Sequence, residues 1–282
     1  METAFKPKYA HDVLYSWGEF LDFAIAGSGK HGLKSSKDRD ENFTGTESWD
    51  KCLEIARNGW PEGEERTSAI SATILDKVTG LIEHEQVVYD VEGIGLDVAT
   101  YLNGEPECWQ RFDTEITEGE GTKHVKIVFN ATVSGGISKN IIEARGATVA
   151  ALVQALEFAG TRVELWVLAI CTANWSSKGP DYEARVLVKA ADQELDMSRV
   201  AFALAHPSML RRLGFACMES HEVAAKELSL GYGNPQRAVD KGDLYIDSGT
   251  LGEAQWEKTA SAVTWVLQQL TKQGIHLAAP TA

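Results

Sequence analysis

His124-Val125-Lys126-Ile127-Val128-Phe129-Asn130-Ala131-Thr132-Val133-Ser134-Gly135-Gly136-Ile137-Ser138 is the stretch that decides how this chain is read. Val125, Ile127 and Phe129 alternate as in a strand. Val128 makes the run apolar on both faces, the pattern of a parallel strand buried between layers. The loop that follows is polar, Gly135-Gly136 lets its backbone curl, and Ser138 is placed to cap a helix. From Ile141 to Phe158 the spacing of Ile142, Val149, Leu152, Val153 and Leu156 predicts that helix, closed by Gly160.

Downstream, Val163 to Ala173 and Tyr182 to Ala191 are two strands joined by the turn Ser176-Ser177-Lys178-Gly179-Pro180-Asp181, an antiparallel hairpin. Helices over Ser198 to Ala205 and Met209 to Met218 flank Pro207. Gly242 to Gly249 is a strand running into a turn, and Glu253 to Gly274 a long helix. This order predicts an α/β fold with an open, mostly parallel, Rossmann-like sheet, one antiparallel edge strand and helices on both faces. Ligands of such sheets sit beyond the carboxyl ends of the parallel strands. The two polar strand ends, Asn130 and Asp247, are therefore expected on one rim.

Residues 1–120 are expected to form a mainly helical N-terminal region and 121–282 the α/β domain. Helical spacing covers His11 to Ala26 and Ser68 to Glu85. Thr46 or Ser48 announces a helix over Trp49 to Arg57, closed by Gly59. Val87 to Val91 is a candidate strand and Asp97 to Leu102 a helical turn. Gly27 to Asn42 is read as a solvated connection, and Thr114 to Thr122 as the domain boundary.

At 282 residues, 44% hydrophobic and 24% charged, the protein has the composition of a globular molecule. Its 41 acidic and 27 basic residues give a formal charge of −14, which disfavours nucleic acid and anionic membranes as partners. Arg211-Arg212, the tightest basic pair, is too small to imply a basic groove. The four cysteines are scattered, as in a reduced cytoplasmic protein with buried thiols. No segment approaches the ~18–20 apolar residues that span a bilayer, and no secretory signal is evident.

With Asn130-x-Thr132-x-Ser134 at the end of the first strand and Asp247 at the end of a later one, the second half resembles the von Willebrand factor A domain. The resemblance implies a metal-ion-dependent adhesion site in which Thr132, Ser134 and Asp247 hold Mg²⁺. Here the site is degenerate: Asn130 stands where the family has Asp, which removes a charge that a hard cation relies on. Two further phrases, Phe43-Thr44-Gly45-Thr46 through Asn58-Gly59-Trp60-Pro61-Glu62-Gly63, and Ser134 to Ser138 leading to Arg145-Gly146-Ala147, are similar to a family of phage- and prophage-encoded proteins. That similarity implies the host cytoplasm and brings no activity with it.

Other motifs are incomplete. Gly27-Ser28-Gly29-Lys30-His31 lacks the first Gly and the final Ser or Thr of a P-loop, and His221-Glu222 lacks the second His of a zinc-protease helix, having Ala225 instead. No Gly-x-Ser-x-Gly elbow occurs. The reading is a non-enzymatic protein-binding or scaffold protein acting through the rim of Asn130, Thr132, Ser134, Gly135, Gly136, Ser138 and Asp247, with no cofactor expected. The alternatives are a Mg²⁺-dependent hydrolase or nucleotide-handling enzyme at the same rim, and a structural component of a phage assembly.

Overall fold

The computed structural model of the protein describes residues 6–65, 67–69, 72, 86–93, 95–113, 124–158, 160–174, 178–228, 232–249, 256 and 259–272. Its strands are β1 (Ala10–Leu14), β2 (Gln86–Asp90), β3 (Gly95–Leu96), β4 (Trp109–Asp113), β5 (His124–Asn130), β6 (Arg162–Thr172), β7 (Tyr182–Lys189), β8 (Asn234–Pro235) and β9 (Leu244–Ile246). The longer sheet runs β1-β7-β6-β5-β9, with β8 paired to the end of β6. β5 is parallel to β6 and β9, and β6 with β7 forms the expected antiparallel pair. The fold is thus α/β with a mostly parallel sheet, and a helical region precedes β5.

The main helices are α1 (Trp17–Gly27), α2 (Trp49–Asn58), α3 (Lys139–Phe158), α4 (Met197–Ala205), α5 (Phe215–Glu219) and α6 (Thr259–Lys272). Between α4 and α5, Met209–Gly214 is a π-helix. The alternation of β5 divides the core. Val125, Ile127 and Phe129 join the large cluster that Phe20, Leu53, Leu152, Phe202 and Leu213 contribute to from the helices. Val128 faces the other way, with Trp166, Leu168, Ile170 and Ala238.

The N-terminal segment departs from expectation in two places. His11 to Ala26 is not one helix: β1 comes first and pairs in parallel with β7 along Ala10↔Tyr182 to Leu14↔Val186. Helix α1 begins only at Trp17, because Ser16 is its N-cap and accepts from the Glu19 N–H at 3.1 Å, while Glu19 accepts from the Tyr15 N–H at 2.7 Å. The segment Gly27 to Asn42 is not simply solvated either. It winds into short helical turns, and Ser36 is fully buried. The expected helix over 68–85, the boundary over 114–122 and the first turn of the helix from Glu253 lie wholly or mostly outside the described residues.

β2, β4 and β3 form a separate three-stranded antiparallel sheet. Around it Tyr89, Val91, Leu96, Val98, Tyr101, Leu102 and Trp109 are exposed.

Two close approaches fix the helical layer. The first is Gly146 of α3, where an added Cβ would lie 2.2 Å from the Leu204 carbonyl oxygen and from Ala205 Cα. The second is His206, stacked on Phe202 at 5.0 Å and met edge-on by Trp60 at 4.6 Å. Its Nδ1 accepts from the Ser208 N–H at 3.1 Å. Burial, then the nearby Arg212 charge, hold His206 down at about 3.

Gly146→Ala is expected to lower the unfolding free energy by about 2–3 kcal/mol, since backbone must move to admit the methyl group. Gly136→Ala, which meets nothing within 4 Å, should leave it unchanged. Urea titration of the two variants checks the contrast.

His206 gives a pH dependence. Between its unfolded value near 6.5 and about 3 in the fold, the unfolded protein binds a proton that the folded protein does not. Stability therefore falls as pH drops through that window, by up to about 1.4 kcal/mol per unit. Denaturation at stepped pH should show His206→Gln losing this component of the slope.

Candidate functional site

The carboxyl ends of β5 and β9 lie side by side, with Phe129 paired to Ile246 and, past the strand ends, Val133 bridged to Gly249. Asn130 and Asp247 do share a rim, and a series of hydrogen bonds joins them. Asn130 is fully buried; its Nδ2 donates to the Gln236 carbonyl at 2.8 Å and to the Tyr245 hydroxyl at 3.1 Å. Tyr245 in turn donates to Asp247 Oδ1 at 3.1 Å. Burial pushes the Tyr245 hydroxyl up to about 12, so at neutral pH it keeps the proton that this bond needs. Beneath both strand ends, Arg145 Nη2 donates to the carbonyls of Asn130 and Asp247.

The remaining polar atoms of the strand ends also have assigned work. Asn130 Oδ1 accepts from the Thr132 N–H at 3.0 Å, an Asx turn that bends the backbone off β5. Thr132 Oγ1 accepts from the Ile170 N–H at 2.9 Å and so ties the loop to β6. Asp247 Oδ1 also accepts from the Ser248 N–H at 2.7 Å, and Oδ2 meets Arg237 Nε at 2.8 Å. A cation held by Thr132, Ser134 and Asp247 would have to displace Arg237 and compete with the Ile170 amide. Among the described residues no group of three or more His, Cys, Asp or Glu is placed to hold a metal ion.

Ser134, Gly135, Gly136 and Ser138 form the outer part of the loop, with Gly135, Gly136 and Ser138 exposed. The Ser138 carbonyl accepts the first bond of α3, from Ile142. Behind the loop opens a cleft of about 60 Å³. Phe43, Val133, Leu210, Phe215, Met218 and Tyr232 make most of it apolar, and Thr132, Gly135 and Arg211 also line it. Tyr232 holds a left-handed φ of 58° while stacking on Phe215 at 3.8 Å, and its hydroxyl donates to Glu219 Oε1 at 2.6 Å.

Arg211 is the cleft residue that the rim reading passes over. Its side chain is buried beside Phe43, 4.2 Å from the ring centroid. Nη1 donates to the Phe43 carbonyl at 2.8 Å and Nη2 to the Ile137 carbonyl at 2.7 Å. Burial lowers it to about 10, which leaves it cationic at neutral pH. The sequence signal was present: Arg211-Arg212 sits among Met209, Leu210, Leu213 and Phe215, where a solvated basic pair would not be expected.

A family described as a domain of unknown function (DUF7192) matches residues 3–276. The protein belongs to this family. The match spans β1, the rim and α6 together. No curated protein and no solved structure matches it. No described helix is long and apolar enough to cross a membrane.

The partners of Asn130 make a sharp prediction for this family member. Asn130→Asp removes two donated hydrogen bonds in a buried site and sets a carboxylate against the Gln236 carbonyl, so stability should fall by about 2 kcal/mol. Calorimetric melting with and without Mg²⁺ checks this, and restoration of the melting temperature by Mg²⁺ would identify a cation site instead.

Proposed function

We propose that this is a non-enzymatic binding or scaffold protein that holds a protein partner at the carboxyl rim of its sheet. The observation that carries the reading is the pairing of fully engaged polar groups with an open apolar cleft. Asn130, Thr132 and Asp247 are taken up in bonds within the molecule, so they act as struts that fix the rim's shape. Next to them a mostly apolar cleft opens beside the exposed Gly135-Gly136. An apolar side group of a partner entering such a cleft leaves water, the dominant source of binding free energy.

The loop supplies the polar complement. With no Cβ at Gly135 or Gly136, a partner backbone can approach closely enough to bond their amides. The resemblance to von Willebrand factor A domains supports the same use of this rim. The exposed apolar residues around the three-stranded sheet, from Tyr89 to Trp109, also favour protein contact over chemistry.

Gly135→Trp tests the reading directly, because a Cβ there meets nothing within 4 Å and the bulk would stand at the mouth of the cleft. The variant should melt with the wild type yet lose the proteins that co-purify with it from expressing cells. Retention of every such protein by both Gly135→Trp and Gly136→Trp would sink the rim as a docking surface.

A further inference from the structure

We propose that the cleft behind the rim loop recognises the C-terminal residue of the partner protein, with its apolar side group inside and its carboxylate against Arg211. The inference rests on the reading of the rim as a protein-binding surface and names what that surface reads.

The argument begins with charge. A guanidinium removed from water costs several kcal/mol unless it is paired. Arg211 is compensated in part among the described residues, by two backbone carbonyls and the face of Phe43. Among the described residues no carboxylate lies within ion-pair distance of it. The acid nearest in the hydrogen-bonding of the cleft wall, Glu219, is taken up by Tyr232, by Ser36 and by the Gly29 N–H. In a protein of net charge −14 this cleft therefore carries a local positive charge that no described carboxylate neutralises.

Size and lining select the rest of the ligand. About 60 Å³ of space between Phe43, Leu210, Phe215 and Met218 suits a single small aliphatic side group, not an aromatic ring or a nucleotide. One guanidinium suits a monoanion, and guanidinium–carboxylate bonds are among the stronger polar contacts, at roughly 1.5–3 kcal/mol. An apolar side group and a carboxylate on neighbouring atoms occur together at the C-terminus of a polypeptide, a group that backbone amides and cations recurrently capture. A free apolar carboxylic acid carries the same chemistry, so the test separates the two.

The probes are N-acetylleucine, N-acetylvaline and N-acetylmethionine, each as free acid and as carboxamide, with 4-methylpentanoate as the free-acid control. Binding to the full-length protein is followed by ¹H–¹⁵N shifts of Gly135, Gly136 and the Arg211 guanidinium. The N-acetyl acids should bind at least about tenfold more tightly than their amides, the preference that one charge-assisted bond confers. Arg211→Lys should keep part of that preference and Arg211→Gln should abolish it.

Because Arg211 also clamps Phe43 and Ile137, Gly214→Val serves as a second variant. A Cβ there comes 3.3 Å from Ala169 and Leu210, narrowing the cleft without touching the clamp, and should weaken all the acids alike. Equal binding of acids and amides would overturn the carboxylate site, and binding of 4-methylpentanoate as tight as N-acetylleucine would overturn the polypeptide terminus in favour of a free acid. No binding by any probe, while Gly135→Trp still sheds the partner, defeats this inference and leaves the rim reading standing.

Discussion

The buried guanidinium of Arg212 holds the N-terminal segment to the rest of the molecule. Nε donates to Thr46 Oγ1 at 2.8 Å, Nη1 to the Ser36 and Lys37 carbonyls at 3.0 Å each, and Nη2 to the Arg39 and Thr46 carbonyls at 3.1 and 3.0 Å. Short helical turns end in carbonyls with no intrahelical donor. A fork of five N–H groups is the side group best shaped to gather them. Glu219 does the reverse for the same segment, accepting from the Gly29 N–H, the Ser36 N–H and Ser36 Oγ. One cation collects the acceptors and one anion collects the donors. The segment from 29 to 46 thus buries Ser36, Thr44 and Thr46 with only single helical turns of its own.

The neighbouring arginine turns that clamp into part of the site. Arg211 and Arg212 are consecutive in the π-helix, whose wider turn is often found where a helix must present unusual groups. Arg212 reaches the 36–46 segment, while Arg211 spans from Phe43 to the rim loop at Ile137 and lines the cleft. The floor of the cleft, its cation and the anchoring of its Phe43 wall therefore depend on the same two residues. The rim opposite is stiffened by the line from Asn130 through Tyr245 to Asp247, with Arg145 beneath it.

The sequence made β5, the hairpin of β6 and β7 and the long helix α3 legible because each has many residues repeating one period. The start of α1 was obscured because Val13 and Leu14 fit the helical spacing of Trp17, Phe20 and Leu21 by coincidence. Ser16 followed three residues later by Glu19 was the contrary signal, a capping pair that marks a helix start. The rim was placed correctly by strand order, but the use of Asn130 was not readable. An amide that could face a ligand folds back instead onto Gln236 and Tyr245, and only tertiary proximity over more than a hundred residues decides that. The cleft was hidden for the same reason, since its walls come from Phe43, Ala169, Arg211 and Tyr232.

Separation along the sequence has a consequence for the order in which this protein assembles. The acceptors at Ser36 and Thr46 meet their donor 176 and 166 residues later, and β1 waits for a strand that begins at Tyr182. During synthesis α1 leaves the ribosome with α2 as its nearest partner, through Trp17 and Ala56, while its contacts with β7 and α5 wait for residues still to be added. Closure of such long loops is slow, and surfaces exposed meanwhile are the ones that aggregate. The segment from β1 to Thr46 is thus made well before the residues that hold it, and a polypeptide halted before Tyr182 would carry β1 unpaired and the acceptors of Arg212 unsatisfied.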